Sequence, residues 1–335
     1  MKSLRIALFG LGRAGRFHLQ SLRMATGIRL LHVVDVDETV ARDVAGVWGC
    51  DWSTDRATAL ADPDVDAVIV ATPTQTHHDY ILDSLAAGKA VFTEKPLGTG
   101  MAEIDACYGK AAELKLPLFL GFMRRFDPSF ADLVQRVHAG EIGQLQLLRT
   151  TSRDCPLPTI EYIKTSNGIF HDCIVHDLDM IRFITREDPV EIFAYGSSFI
   201  KEIEAVGDID TVLVSLRFPS GLLCSIDISR HAVYGYDQRI EAFGDGGMIQ
   251  AENRQPLTTI NSGVDAITRS PIEFSFPTRY REAYLRELET FRDCVVGALP
   301  LPINHEDARK NFLLADAAER SFKTAQAVRI DYDVH

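Results

Sequence analysis

In the first third of the chain, hydrophobic positions fall in short unbroken runs, each followed by a helix-like pattern of apolar residues. Ile6–Phe9 is such a run, closed by glycine, and Phe17, Leu19 and Leu22 are the apolar positions of the helical stretch behind it. The alternation continues through "IRLLHVVDVD", Ala67–Ala71, "KAVF" and "LPLFL". A strand buried on both faces reads as a continuous apolar run, and strands alternating with helices imply a parallel sheet. The strict alternation stops near residue 122, which sets a first domain at 1–122 and a second at 123–335.

Beyond residue 123 the pattern changes. A helical stretch, "PSFADLVQRVHAGEIG", precedes a second one, "GIFHDCIVHDLDMIRF" (Gly168–Phe183). Then come runs rich in β-branched and aromatic residues, "VEIFAYGSSFI", "DTVLVSLRF", "LLCSIDISR" and "QRIEAFGD", divided by turn signals such as "PSG" and "GDGG". Runs of strands after helices predict an α+β domain with a large, mostly antiparallel open sheet. One face of that sheet needs cover from helices or from another subunit. Two late helical stretches, "YREAYLRELETFRDCVVGAL" and "HEDARKNFLLADAAERSFKTAQ", are expected to pack back on the first domain.

Composition narrows the partners. The 335 residues include 35 basic and 47 acidic ones, a formal charge of −12, which argues against nucleic acid or an anionic membrane surface. The N-terminal apolar run is too short for a signal segment or a membrane span. Six scattered cysteines with no C-x-x-C pair read as thiols and suit a reducing cytoplasm.

The candidate chemistry begins at the first turn. Gly10, Gly12 and Gly15 stand in G-x-G-x-x-G spacing between the first strand and its helix. Gly10 permits a tight turn, Gly12 lets a pyrophosphate approach the backbone, and Gly15 lets the helix pack on the strand. The anion would sit at the helix N-terminus, with Leu11, Arg13 and Ala14 completing the loop. Asp35 ends the next apolar run, where a carboxylate accepts from ribose hydroxyls and repels the extra phosphate of NADP. Val36 and Asp37 follow with no arginine, so NAD is the expected cofactor of this Rossmann-type, doubly wound unit. Ligands of such sheets lie at the carboxyl ends of strands. That makes Ala71, Thr72, Pro73, Thr74 and His77 of "ATPTQTHH" candidate contacts, with Glu94 and Lys95 of "TEKP". An ammonium at Lys95 could favour a developing alkoxide, although a lone lysine is as often a surface residue.

The stretch Gly168–Phe183 carries two histidines and three aspartates among apolar residues. On one continuous helix, Asp172, His176 and Asp179 share a face. Such a polar trio is costly to bury unless its members pair or meet a ligand. Asp172 could support a cationic His176 acting as general base. Carboxylates simply facing solvent are the plain alternative. His171 reads as an ordinary satisfied histidine and Asp177 as a solvated carboxylate. Asp172, His176 and Asp179, with His77 and His78, could be metal ligands, but no recognisable zinc spacing appears and no metal is expected.

In order and spacing, "GLGRAG", "ATPTQTHH", "EKPLG", "RRFDPSF" and "GIFHDCIVHDLDMIRF" resemble the glucose–fructose oxidoreductase / inositol dehydrogenase / MocA family, over essentially the whole chain. "SRDCPLP", "EYIKTSNGIF" and "YGYDQRIEAFG" are most similar to its myo-inositol 2-dehydrogenases. The resemblance implies NAD-dependent oxidation of a cyclic polyol, myo-inositol to 2-keto-myo-inositol, by a cytoplasmic homotetramer formed through the open sheet. It assigns Lys95, Asp172 and His176 as catalytic and Asp179 as a reader of the polyol hydroxyls. Met123 and Arg124 would line the cleft, Met123 also meeting the cofactor, with Asp154 and Tyr236 as further substrate contacts. Alternatives are scyllo-inositol, a sugar, or a nucleotide-binding regulator without catalysis. Where the family has two glycines this chain has Asn167-Gly168; asparagine tolerates the left-handed conformation, so the turn is expected to persist.

Overall fold

The structure, a computed structural model, describes residues 3–333. Two compact units are present: Met1–Phe126 with Glu282–Arg309, and Asp127–Arg281 with Lys310–His335.

The first unit holds six strands, β1 (Leu4–Phe9), β2 (Ile28–Val34), β3 (Asp51–Ser53), β4 (Ala67–Val70), β5 (Ala90–Glu94) and β6 (Leu118–Gly121). All pair in parallel, in the order β3-β2-β1-β4-β5-β6. The order reverses between β1 and β4, and that switch point is where doubly wound sheets take their ligand. The unbroken apolar runs become strands with both faces buried; Ile6, Leu8, Phe92 and Phe119 are in the core. Phe92 stacks on Phe119 at 5.2 Å, and Phe291, from the helix Arg281–Val295, meets both edge-on at 5.7 Å.

The second unit is built on a seven-stranded sheet. Its strands are β7 (Leu145–Arg153), β8 (Glu191–Ser197), β9 (Thr211–Arg217), β10 (Leu223–Ser229), β11 (Asp237–Gly244), β12 (Gly247–Ala251) and, late in the chain, β15 (Val328–Arg329). The order is β12-β11-β7-β10-β9-β8-β15. Only β7 and β10 pair in parallel; the other neighbours are antiparallel. A separate hairpin pairs β13 (Ile260–Ser262) with β14 (Ile267–Arg269). The fold is therefore the α/β parallel sheet plus mostly antiparallel sheet that the hydrophobic pattern predicts.

Alternation sorts the faces of the large sheet. In β9 and β10, Val212, Val214 and Leu216 are buried beside Ile228, Ile226 and Cys224. Helices Pro128–His138 and Val175–Thr185 pack against β12 and β7 respectively. The opposite face exposes Leu147, Leu213, Leu223, Tyr195 and Phe243, which are cross-strand neighbours. No helix among the described residues is long and apolar enough to cross a membrane.

Candidate active site

The glycine-rich turn is built as its spacing requires. Gly10 has φ +87°, and a Cβ there would lie 2.6 Å from the Ala71 carbonyl oxygen, so the turn out of β1 passes tightly over the end of β4. A Cβ on Gly15 would come within 2.0 Å of the Gly10 carbonyl oxygen, so only glycine lets the first helix start this close to the turn. Gly12 differs: a Cβ there would meet nothing within 4 Å. That open space lies at the N-terminus of the helix Arg13–Leu22, whose first turn contains no acidic residue to cancel its positive end. A pyrophosphate fits this cradle.

Asp35 is tied into the same loop. Its Oδ2 accepts from the Leu11 backbone N–H at 2.7 Å and its Oδ1 from that of Asp37 at 3.0 Å. Each oxygen keeps a lone pair for a ribose hydroxyl. The Leu11 side chain belongs to the core, leaving its backbone to the loop, and Val36 is exposed. Arg13 is exposed and Ala14 half-buried.

At the ends of β4 and β5, Ala71, Thr72, Pro73 and Thr74 form a turn into the helix Thr74–Ala86. His77 is buried below them, with ring nitrogens 2.8 Å from the carbonyl oxygens of Thr72 and Pro96. A neutral imidazole carries a single N–H, so His77 donates to one of these two carbonyls and sets its other nitrogen beside the second. Burial holds its pKa below the usual histidine value, against the opposing pull of the two carbonyls. Glu94, the last residue of β5, meets the fully buried His18 at 2.7 Å. Lys95 follows directly at the strand end, and Met123 and Arg124 sit buried in the 3-10 turn Met123–Phe126 after β6.

In the second unit the stretch Gly168–Phe183 is not one helix. Gly168–Asp172 and Val175–Thr185 are separate helices, joined through Cys173 and Ile174. The Ile174 N–H reaches back five residues to the Ile169 carbonyl, and the His176 N–H only three, to Cys173. A shared face for Asp172, His176 and Asp179 therefore does not follow from helical spacing, because the spacing spans a break. All three are nonetheless buried. Asn167 has φ +65° and Gly168 φ +78°, so asparagine does adopt the left-handed turn expected of it.

Asp172 is anchored at both oxygens. Tyr162 donates its hydroxyl to Oδ1 at 2.7 Å, and Arg230 donates from Nη1 to Oδ2 at 3.0 Å. Burial and the neighbouring carboxylate push the Tyr162 phenol well above its ordinary pKa, which keeps it a donor. Asp177 corrects the sequence reading: it is buried, not solvated, and accepts from the Ser152 hydroxyl of β7 at 2.7 Å. His171 is also buried, its ring 5.0 Å from that of Phe312 and its Nε2 3.9 Å from Glu319.

Two further candidates stand at strand ends. Asp154 follows β7, its N–H bonded to the Ser229 carbonyl and its own carbonyl taking the Ala232 N–H, both at 2.8 Å. Tyr236 precedes β11 and is buried against the rings of Phe276 and Tyr280. Arg230, Tyr162 and Asp208 were missed by sequence reasoning. Tyr162 and Arg230 meet Asp172, and Asp208 meets Arg230, only through tertiary contacts, and only the arginine directly after an apolar strand, in "SIDISR", could have hinted at it.

Comparisons with known proteins identify the family and the fold. Residues 4–122 match the model of an oxidoreductase family with an NAD-binding Rossmann fold, and residues 130–250 match the GFO/IDH/MocA C-terminal domain. The chain is 40% identical over 330 residues to a myo-inositol 2-dehydrogenase of Thermotoga maritima, covering 98% of this chain and 99% of the relative. It is similar to the crystal structure of a putative myo-inositol dehydrogenase from Sinorhizobium meliloti, with a TM-score of 0.95, 38% identity and coverage of 98% and 100%. It is also similar to scyllo-inositol dehydrogenase from Lactobacillus casei with bound NAD(H) and scyllo-inositol, with a TM-score of 0.91, 27% identity and coverage of 98% and 99%.

Proposed function

The chain belongs to the GFO/IDH/MocA family of NAD-dependent oxidoreductases acting on CH–OH groups, and from that premise we propose that it oxidises myo-inositol to 2-keto-myo-inositol. The observation that carries the reading is the buried, doubly anchored Asp172 in the same short segment as the buried His176, in a chain similar from end to end to a myo-inositol 2-dehydrogenase.

NAD, when bound, supplies the acceptor for the carbinol hydride. Gly10, Gly12 and Gly15, with the helix behind them, would hold its pyrophosphate, and Asp35 its ribose. Ala71–Thr74, Glu94 and Met123 would flank its other half. The chain's own part is positioning and proton handling. Lys95 donates a hydrogen bond to the reacting hydroxyl and favours its alkoxide character. His176 takes the hydroxyl proton on an imidazole nitrogen, and Asp172, anchored by Tyr162 and Arg230, supports the resulting imidazolium. Met123, Arg124, Asp154, Asp179 and Tyr236 read the remaining hydroxyls. We place the protein in the cytoplasm as a homotetramer joined through the exposed apolar face of the large sheet.

A second reading is favoured by the likeness to the scyllo-inositol dehydrogenase: the same residues acting on scyllo-inositol, which oxidises to the same ketone. The test follows NADH formation with NAD or NADP on myo-inositol, scyllo-inositol and glucose, with Lys95→Ala as control. Turnover of myo-inositol with NAD, abolished in the variant, supports the first reading, and preference for scyllo-inositol moves the substrate. NADH binding without turnover on any polyol would leave a regulator in place of an enzyme.

A further inference from the structure

We propose that His171, Asp316 and Glu319 form a binding site for a divalent transition-metal cation, Zn²⁺ or a close neighbour, which would clasp the short helix Gly168–Asp172 to the helix His305–Thr324. None of the three residues has a part in the catalysis proposed above.

All three belong to the second unit. His171 comes from the helix Gly168–Asp172. Phe312, Asp316, Glu319 and Lys323 recur along His305–Thr324 at steps of four, three and four, which sets them on one stripe of that helix. The Phe312 ring lies 5.0 Å from the imidazole, and the two carboxylates follow on the next turns. One ring nitrogen of His171 and one oxygen of each carboxylate lie within 4.8 Å of one another. His171 Nε2 is 3.9 Å from Glu319 Oε2, too far for a hydrogen bond.

The chemistry of this convergence calls for a cation. The His171 side chain is only 9% exposed, yet among the described residues neither ring nitrogen makes a hydrogen bond. It is not the satisfied histidine that its place in the sequence suggests, and buried polar groups are seldom left so. Burial holds its pKa below the usual histidine value, against the opposing pull of Glu319 and Asp316. Near neutrality the ring is therefore the uncharged form that binds metals, and it supplies no positive charge of its own. Asp316 and Glu319, like charges three positions apart on a helix, repel. Lys323 relieves one corner only: it reaches Glu319 Oε1 at 2.8 Å, while Oε2 is the oxygen beside the imidazole.

One imidazole nitrogen and two carboxylate oxygens also select the ion. Mg²⁺ and Ca²⁺ take oxygen ligands, whereas Zn²⁺ and its neighbours accept nitrogen and oxygen together. Bonds of about 2.0–2.2 Å place the ligands of a tetrahedral ion roughly 3.4 Å apart. The cluster must close by about 1 Å, which rotation of the exposed Asp316 and half-buried Glu319 side chains supplies. Water takes the remaining position on the exposed side.

The experiment strips the full chain of metal with a chelator, titrates it with Zn²⁺ by calorimetry, and follows thermal unfolding with and without the ion. Mg²⁺ is the control ion. The variants are Asp316→Asn, Glu319→Gln, the two together, and His171→Gln, with NADH binding as a check of folding. The wild type is expected to bind one Zn²⁺ per chain and to melt about 5 °C higher at an ion concentration about 100 times Kd, with no such shift in Mg²⁺. Each single variant should weaken Zn²⁺ binding about tenfold or more. The double variant should lose the shift altogether, yet unfold without metal no earlier than the wild type, because it removes the repulsion between the carboxylates. That pairing separates a lost ligand from a damaged fold, even where His171→Gln does not fold. An unchanged stoichiometry and shift in the double variant would put the ion elsewhere, on thiols or surface histidines, and overturn the proposal. So would an equal response to Mg²⁺, or no Zn²⁺ bound by the wild type.

Discussion

Gly12 and Gly15 belong to one motif, yet the structure gives them opposite reasons to be glycine, and alanine substitution should separate them. At Gly15 a methyl group would sit 2.0 Å from the Gly10 carbonyl oxygen and 2.9 Å from its carbon, both backbone atoms. Relief requires the helix to move away from the turn, and forced overpacking of this kind costs about 1–3 kcal/mol or more. At Gly12 there is open space, and φ of −69° is accessible to alanine. Alanine is a poorer N-cap than glycine by roughly 0.5–1 kcal/mol, and the stiffer unfolded chain offsets about the same amount. The apo protein should therefore be nearly unchanged in stability by Gly12→Ala. Its methyl group would instead occupy the approach of the pyrophosphate to the helix N-terminus. Losing one charge-assisted hydrogen bond there, about 1.5–3 kcal/mol, corresponds to a roughly 10- to 100-fold rise in Kd for NAD. Thermal unfolding of the apo variants and calorimetric titration with NADH measure the two effects separately. An unchanged Kd in Gly12→Ala, or an unchanged melting temperature in Gly15→Ala, would refute the reasoning for that glycine.

Asp35→Ser removes both the acceptor for ribose and the partner of the Leu11 N–H; the ratio of kcat/KM for NAD over NADP should fall about tenfold or more. His77→Leu leaves whichever of the Thr72 and Pro96 carbonyls takes the single imidazole N–H without its donor, a cost of about 1–3 kcal/mol readable as a lower urea midpoint, and wild-type stability would deny it that bonding role. Asp188 bonds Lys310 at 2.6 Å and Arg182 at 2.7 Å. Burial alone would raise its pKa, but those two cations carry it below the usual value. Its contribution to stability is thus full above the unfolded aspartate pKa, near pH 4, and is lost as the pH falls through the lower folded value. Asp188→Asn should flatten the pH dependence of the unfolding free energy on that acid side and leave its slope near neutrality alone.

What could be read from the chain and what could not divide along a physical line. Contacts within one strand–turn–helix unit leave their mark in local pattern. The apolar runs that became β1, β4, β5 and β6 and the positive φ of Gly10 follow from residue types a few positions apart. The stretch Gly168–Phe183 shows where that logic ends. Its composition marks it as a candidate site, but helical spacing holds only along an unbroken helix, and the chain breaks at Cys173 and Ile174. Asp177, expected to be solvated, is buried against Ser152, which comes from β7, 25 positions away.

The same distance hid the residues that anchor Asp172. Arg230 lies 58 positions from Asp172 and 22 from Asp208, and no periodicity links residues on a strand end, a loop and a broken helix. Tyr162 and Arg230 take one oxygen of Asp172 each, and the other end of the guanidinium goes to Asp208 at 3.1 Å. A carboxylate read from its own helix alone shows neither partner, because both reach it only through the tertiary fold.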